Sequence, residues 1–221
     1  YVVPERVRAM AMDKVWPVTV RGYVPSRGIT WTNYLERDFT LGSQTGYYCG
    51  QEMPVFLAFR TRHKRRSLFF KSDPPVPVLA SAQHTNALLG GFSYPKDMDW
   101  SRLGARARES ASICLHLGPT KSLRRCIAPR GSSVKMGTPL DSSRAIALDL
   151  GSVFVGIKAF RAGPSGEEGS AIIERRGDES VIVWRTGARL SSGSAAAVPV
   201  AGFFIRVVSA KKVVSLEAFA R

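Results

Sequence analysis

Acidic residues are scarce in this chain. Only 17 Asp and Glu stand against 32 Lys and Arg, leaving a formal net charge of +15 at neutral pH. Such an excess repels itself unless a polyanion compensates it, and nucleic acid is the commonest one. Cysteine is scarcer still, at Cys49, Cys114 and Cys126. An odd number of thiols with no Cys-x-x-Cys pair argues against a secreted disulfide scaffold. No apolar run reaches the roughly 18 residues of a spanning helix, so no membrane helix is expected. Gly-x-Ser-x-Gly, Walker A and His-Glu-x-x-His patterns are missing too, and no catalytic residue, cofactor or metal is expected. What remains is 44% apolar and 10% aromatic residues over 221 positions. That is a packed globular composition, neither a disordered tail nor a collagen-like chain, and one domain is the expectation.

The charge is uneven. Sixteen bases and five acids lie between Arg60 and Arg144, so this segment holds +11 of the total. It also contains Pro74-Pro75-Val76-Pro77 and long stretches without periodicity, and it reads as a basic Pro/Arg-rich insertion (60–144) in a single β-rich domain spanning 1–221. Within it, apolar or small residues at Leu103, Ala107, Ser110, Cys114 and Leu117, followed by Gly118-Pro119, predict a helix over about 101–117. On either side the pattern is of strands. Val15–Tyr23, Ile29–Tyr34 and Pro54–Phe59 are rich in β-branched and aromatic residues, with Gly42–Gly50 as a connecting loop or hairpin tip. The apolar run from Ala145 to Ile157 is too long for one flat strand, so its glycines predict a bend or bulge. Ala171–Arg175 and Ser180–Arg185 flank Arg176-Gly177-Asp178-Glu179, a hairpin signal, and 195–200 is a further candidate strand. From Phe203 to Phe219 the abundant Val residues set strand closely against helix, and a helix is expected. The fold class is therefore α+β, predominantly antiparallel β, with one central and one C-terminal helix.

Three local patterns bear on chemistry. Ile146-Ala147-Leu148-Asp149-Leu150-Gly151-Ser152 resembles the first phosphate motif of actin- and Hsp70-type nucleotide-binding folds, yet too little chain follows it for that fold's other elements. A strand with a glycine bend is the plainer reading. Cys114, His116 and Cys126 supply soft ligands, but their spacing is unlike the usual zinc patterns and Cys114 falls on an apolar stripe, so buried structural thiols are expected. The strongest feature is the cluster Arg60, Arg62, Lys64, Arg65 and Arg66, continued by Lys71, by Arg102, Arg106 and Arg108, and by Lys121, Arg124, Arg125, Arg130 and Lys135. Arginine forks match phosphate bidentately, so these residues are the candidate RNA contacts. Phe69 and Phe70, beside the cluster, are expected in the core. In the C-terminal stretch, Phe204 and Val208 fall outside the row Phe203, Val207, Ala210 and Val214, and are expected at an interface with a neighbouring protein.

The bent strand, the hairpin at 176–179 and Val198-Pro199-Val200 leading into Phe203–Ala210 resemble the second half of Whirly-type proteins, a family that includes mitochondrial guide-RNA-binding proteins. The resemblance covers about a third of the chain and lacks the family's Lys-Gly-Lys signature. It implies a four-strand sheet ending in a helix, with RNA across the sheet. More broadly, the uneven basic charge, the Arg- and Pro-rich extension and the Tyr1 start, which fits a removed transit peptide, resemble accessory proteins of mitochondrial ribosomes of the kinetoplastid kind. That likeness implies a mitochondrial matrix protein, non-catalytic, whose partners are rRNA and neighbouring ribosomal subunits. A Whirly-type guide-RNA or mRNA binder is the alternative, and an actin- or RNase H-like enzyme a distant one.

Overall fold

Along residues 55–60, 87–92 and 203–209 of the computed structural model, buried positions alternate with more exposed ones. It describes Glu5 and residues 16–47, 55–61, 64–73, 78–93, 112–119, 123–128, 132–135, 137, 139–140, 145–162, 171–185 and 200–220. Among these, fifteen strands form: β1 (Val18–Val24), β2 (Ile29–Leu35), β3 (Phe39–Tyr47), β4 (Val55–Arg60), β5 (Arg65–Asp73), β6 (Val78–His84), β7 (Ala87–Ser93), β8 (Ser112–Pro119), β9 (Arg125–Ile127), β10 (Pro139–Leu140), β11 (Ile146–Asp149), β12 (Val153–Ala162), β13 (Ala171–Arg176), β14 (Glu179–Arg185) and β15 (Val200–Ser209). A single-turn helix, α1 (Leu216–Phe219), closes the chain's described part. Every strand pairing is antiparallel, as the composition of the flanking segments predicts.

The strands make two sheets that share β3. The first runs β10-β13-β14-β8-β5-β4-β3-β2-β1, and the second β6-β7-β15-β12-β11-β9. Residues 39–43 of β3 pair with β4, whereas Gly46 and Tyr47 pair with β6. Where the strand passes between sheets, side chains replace the missing ladder. Ser43 Oγ donates to Gln83 Oε1 at 2.8 Å, Gln83 Nε2 donates to the Leu41 carbonyl at 2.9 Å, and the Thr45 and Ser81 hydroxyls lie 2.7 Å apart. These bonds satisfy polar groups that the gap would otherwise strand.

The inner faces build one core. Leu41, Leu57, Leu68, Phe70 and Leu115 of the first sheet meet Leu88, Phe92, Val155, Phe203, Ile205 and Val207 of the second. At its centre Phe70 stacks on Phe203, centroids 4.4 Å apart, and Phe92 tilts against the same ring at 5.6 Å. Phe203 fits because β7 places Gly90 opposite it, and a Cβ there would overlap the ring.

One end is latched by charge. Asp38, between β2 and β3, accepts from Ser209 Oγ at 2.7 Å and from Lys211 Nζ at 2.8 Å, and Lys212 pairs with Glu36. Burial pushes the Asp38 carboxyl up, but the hydrogen bonds from Lys211 and Ser209 and the Lys211 and Arg37 charges outweigh it and hold it below its ordinary value of 3.8. Two basic residues of the C-terminal segment are thus consumed structurally.

Several expectations are corrected. The helix expected over 101–117 is β8 from Ser112 onward, and 101–111 lies outside the described residues. Cys114 and Leu117 are both buried, but on opposite faces of a strand, so helical spacing and period-two burial coincide there. The helix expected from Phe203 to Phe219 is instead β15, a turn and α1: Phe203, Ile205, Val207 and Ser209 are buried while Phe204 and Arg206 are exposed. That stretch is also where the Whirly likeness implied a helix. Gly42–Tyr47 belongs to β3 rather than a loop, and the bend in 145–157 is a full hairpin turn between β11 and β12, with Gly151 at φ +91°. Segment 60–144, read as an insertion, supplies β5 through β10 to the two sheets. The hairpin at 171–185 forms as expected, with Arg176 opposite Glu179.

Two substitutions probe these features. Gly90→Ala should displace Phe203 from Phe70 and destabilise the fold by about 1–3 kcal/mol, read as a lower denaturant midpoint at unchanged slope. Asp38→Asn should cost about 1–3 kcal/mol at neutral pH. Because the folded carboxyl titrates below the unfolded one, its contribution is present above pH 3.8 and lost as pH falls further, so thermal melts of wild type and variant should converge there.

Candidate nucleic-acid interface

The basic cluster sits on a hairpin end. β4 runs Val55-Phe56-Leu57-Ala58-Phe59-Arg60, and its alternation sends Val55, Leu57 and Phe59 into the core, so Arg60 shares the outer face with Phe56. Across the ladder Arg60 lies directly opposite Arg65, and Phe56 opposite Phe69. Thr61 fastens the tip: its hydroxyl donates to the Lys64 carbonyl at 2.7 Å and accepts from the Lys64 amide at 3.2 Å. Arg60, Lys64 and Arg65 are exposed, and Arg66 is half-buried on the inner side, opposite Phe59. Among the described residues none of these four makes an ion pair. Like charges directly opposite on a sheet destabilise it, so this end of the hairpin carries like-charge repulsion that no acid among the described residues relieves.

The same outer face carries an aromatic row. Trp31 on β2, Phe56 on β4, Phe69 on β5 and His116 on β8 share its parity through the pairs Trp31–Gln44, Gly42–Phe56, Phe56–Phe69 and Phe69–His116. Each is half-buried. Phe69 stacks on the His116 imidazole, centroids 4.7 Å apart and planes 9° apart. Glu179 holds that imidazole, with Nδ1 3.0 Å from Oε2, while Oε1 accepts from the Gly118 amide at 3.2 Å. Of the two phenylalanines expected in the core, Phe70 is there, and Phe69 is on this outer face.

The remaining candidates are divided. Arg124, Arg125 and Lys135 are exposed around β9, in the second sheet, away from the β4–β5 hairpin in the strand order. Arg124 lies over the Gly151 turn, and Arg125 donates to Glu217 at 2.6 Å, tying β9 to α1. Lys71 occupies β5 opposite Cys114. Arg62, Arg102, Arg106, Arg108, Lys121 and Arg130 lie outside the described residues. On the outer face of the second sheet, Phe204 is 40% exposed beside Leu89 at 47%, with Lys158 opposite Phe204 on the other side. Val208 is half-buried opposite Phe154, where α1 covers the face through Leu216 and Phe219. Lys158, Arg206 and Leu89 escaped the sequence reading; period-two alternation across 203–209 would have found Arg206, whereas Lys158 and Leu89 reach this face only through cross-strand pairing.

The other motifs are absorbed by structure. Asp149 Oδ1 accepts from the Gly151 amide at 2.7 Å, so the phosphate-like motif closes a hairpin turn. Cys114 packs with Val181 and Val183 on the outer face of the first sheet, while Cys126 is in the core, where burial pushes its thiol up to about 12. Cys114 and Cys126 thus lie on different sheets, and no group of three metal-binding side chains occurs among the described residues. No protein-family model, curated protein or solved structure matches the chain.

Arg60→Glu turns the opposed arginines into an opposite-charge pair. It should raise stability by about 0.2–1 kcal/mol at low salt, an increment that shrinks as salt is added, in denaturant titrations.

Proposed function

We propose that this protein binds RNA through the outer face of its first sheet, as a non-catalytic, rRNA-contacting accessory component of a ribonucleoprotein of the mitochondrial ribosomal kind. The observation that carries the reading is the Arg60–Arg65 pair: two arginines directly opposite each other, with Lys64 beside them and no ion pair to an acid among the described residues. A fold that tolerates this arrangement gains most from a ligand that brings phosphates. The net charge of +15 supports the same class of partner at longer range. Phe204 and Leu89, exposed together on the opposite sheet, support a protein neighbour on that side.

RNA binding by the full chain, followed at several salt concentrations, tests the reading. Arg60→Glu and Arg65→Glu should each weaken binding and lower the salt slope by about 0.7–0.9 for each phosphate no longer neutralised. Binding with an unchanged slope in both variants refutes the assignment to this hairpin. Co-sedimentation with a ribosomal subunit favours the ribosomal partner, and a light RNA–protein fraction favours a guide-RNA or mRNA binder.

A further inference from the structure

We infer that the outer face of the first sheet takes unpaired bases, with Trp31 and Phe56 as two stacking rings, so that the RNA recognised there is single-stranded. This rests on the RNA-binding reading above and adds the form of RNA and the residues that select it.

Both rings are seated over glycine. Trp31 lies opposite Gly22 of β1, and Phe56 opposite Gly42 of β3. A Cβ at Gly22 would overlap Cζ2, Cε2 and Nε1 of the Trp31 indole, and a Cβ at Gly42 would overlap Cε1 and Cζ of Phe56 together with Asn33 Oδ1. Each ring therefore reaches across to the neighbouring strand and fills the space above its glycine, which leaves its far side as the surface on which a base would stack.

Their placement fits a strand of nucleotides. Phe56 shares a cross-strand row with Gly42 and Asn33, and Trp31 is two residues from Asn33 along β2. Two inter-strand steps and one two-residue step put the rings about 12 Å apart, so they serve different bases. From Phe56 the same face leads four residues along β4 to Arg60, about 13 Å away, where the opposed arginines meet phosphate. Charge complementarity names the occupant as a polyanion, and the aromatics seated over glycine favour one whose bases are splayed out. A duplex keeps its bases stacked on one another and offers this face only its backbone. Phe69 and His116 are stacked together and form the floor beside the platform.

Fluorescence anisotropy with a twelve-nucleotide oligouridylate and a twelve-base-pair RNA duplex, using the full chain, separates the possibilities. Trp31→Leu and Phe56→Leu should each weaken oligouridylate binding about 5- to 100-fold, leave duplex binding and the salt slope unchanged, and Trp31→Tyr should restore the loss. Thermal melts establish that each variant is folded, and Trp31→Leu, in the edge hairpin β1–β2, carries the test if Phe56→Leu does not fold. Wild-type affinity for oligouridylate in a folded Trp31→Leu variant overturns the platform while leaving RNA binding by the arginines standing. Equal losses for single strand and duplex overturn it as well. A wild-type protein that binds neither RNA removes the underlying reading and the platform with it.

Discussion

The packing on which the structure depends is that of the Phe203 ring, seated over Gly90 and stacked on Phe70. Here the two sheets meet ring on ring, centroids 4.4 Å apart, and the contact ties their separation to the register of both strands. β15 has one parity that sends Phe203, Ile205 and Val207 inward, and β5 has one that sends Leu68 and Phe70 inward. A one-residue slip in either strand would move an aromatic from core to solvent, a loss of several kcal/mol across the row. Once those parities are set, the outer faces follow. Phe69 and Arg65 must lie outside on β5, and Phe204 and Arg206 outside on β15.

The two outer faces then differ in how they are finished. On the second sheet, α1 lays Leu216 and Phe219 over Phe154, Ala147 and Ile127, and Arg125–Glu217 anchors it. That cover stops short of Phe204 and Leu89. On the first sheet, Cys114, Val181 and Val183 of the outer face are buried, whereas Trp31, Phe56, Phe69 and His116 on the same face are only half-buried and are bordered at one end by arginines. Lys211 and Lys212, by contrast, are neutralised at the Asp38–Glu36 latch. Basic charge in this protein is therefore of two kinds: some holds the sandwich closed, and some, at Arg60, Lys64 and Arg65, has no acidic partner among the described residues.

Much of the architecture is legible in local sequence. Gly177-Asp178 between two apolar runs specifies the β13–β14 hairpin, and the runs rich in β-branched, aromatic or other apolar residues at 18–24, 29–35 and 55–60 specify strands. Helix was expected in place of strand where two periodicities coincided. In Ser112–Pro119 and in Phe203–Ser209, almost every second residue and almost every third or fourth are apolar, so spacing alone does not separate strand from helix. Only pairing partners far along the chain, β5 and β14 for β8 and β7 and β12 for β15, decide it. The same limit applies to the site. The charges at 60–66 are visible as a cluster, but whether Phe69 or Phe70 faces the core depends on strand parity, and that Trp31 sits over Gly22 depends on that glycine being its cross-strand neighbour.

Ultraviolet crosslinking of the protein to single-stranded RNA, with the adducts mapped by mass spectrometry, tests the proposed RNA-binding face most directly. Adducts concentrated on Trp31, Phe56 and the β4–β5 hairpin are the predicted result. Adducts confined to the outer face of the second sheet, around Phe204 and Lys158, would contradict it.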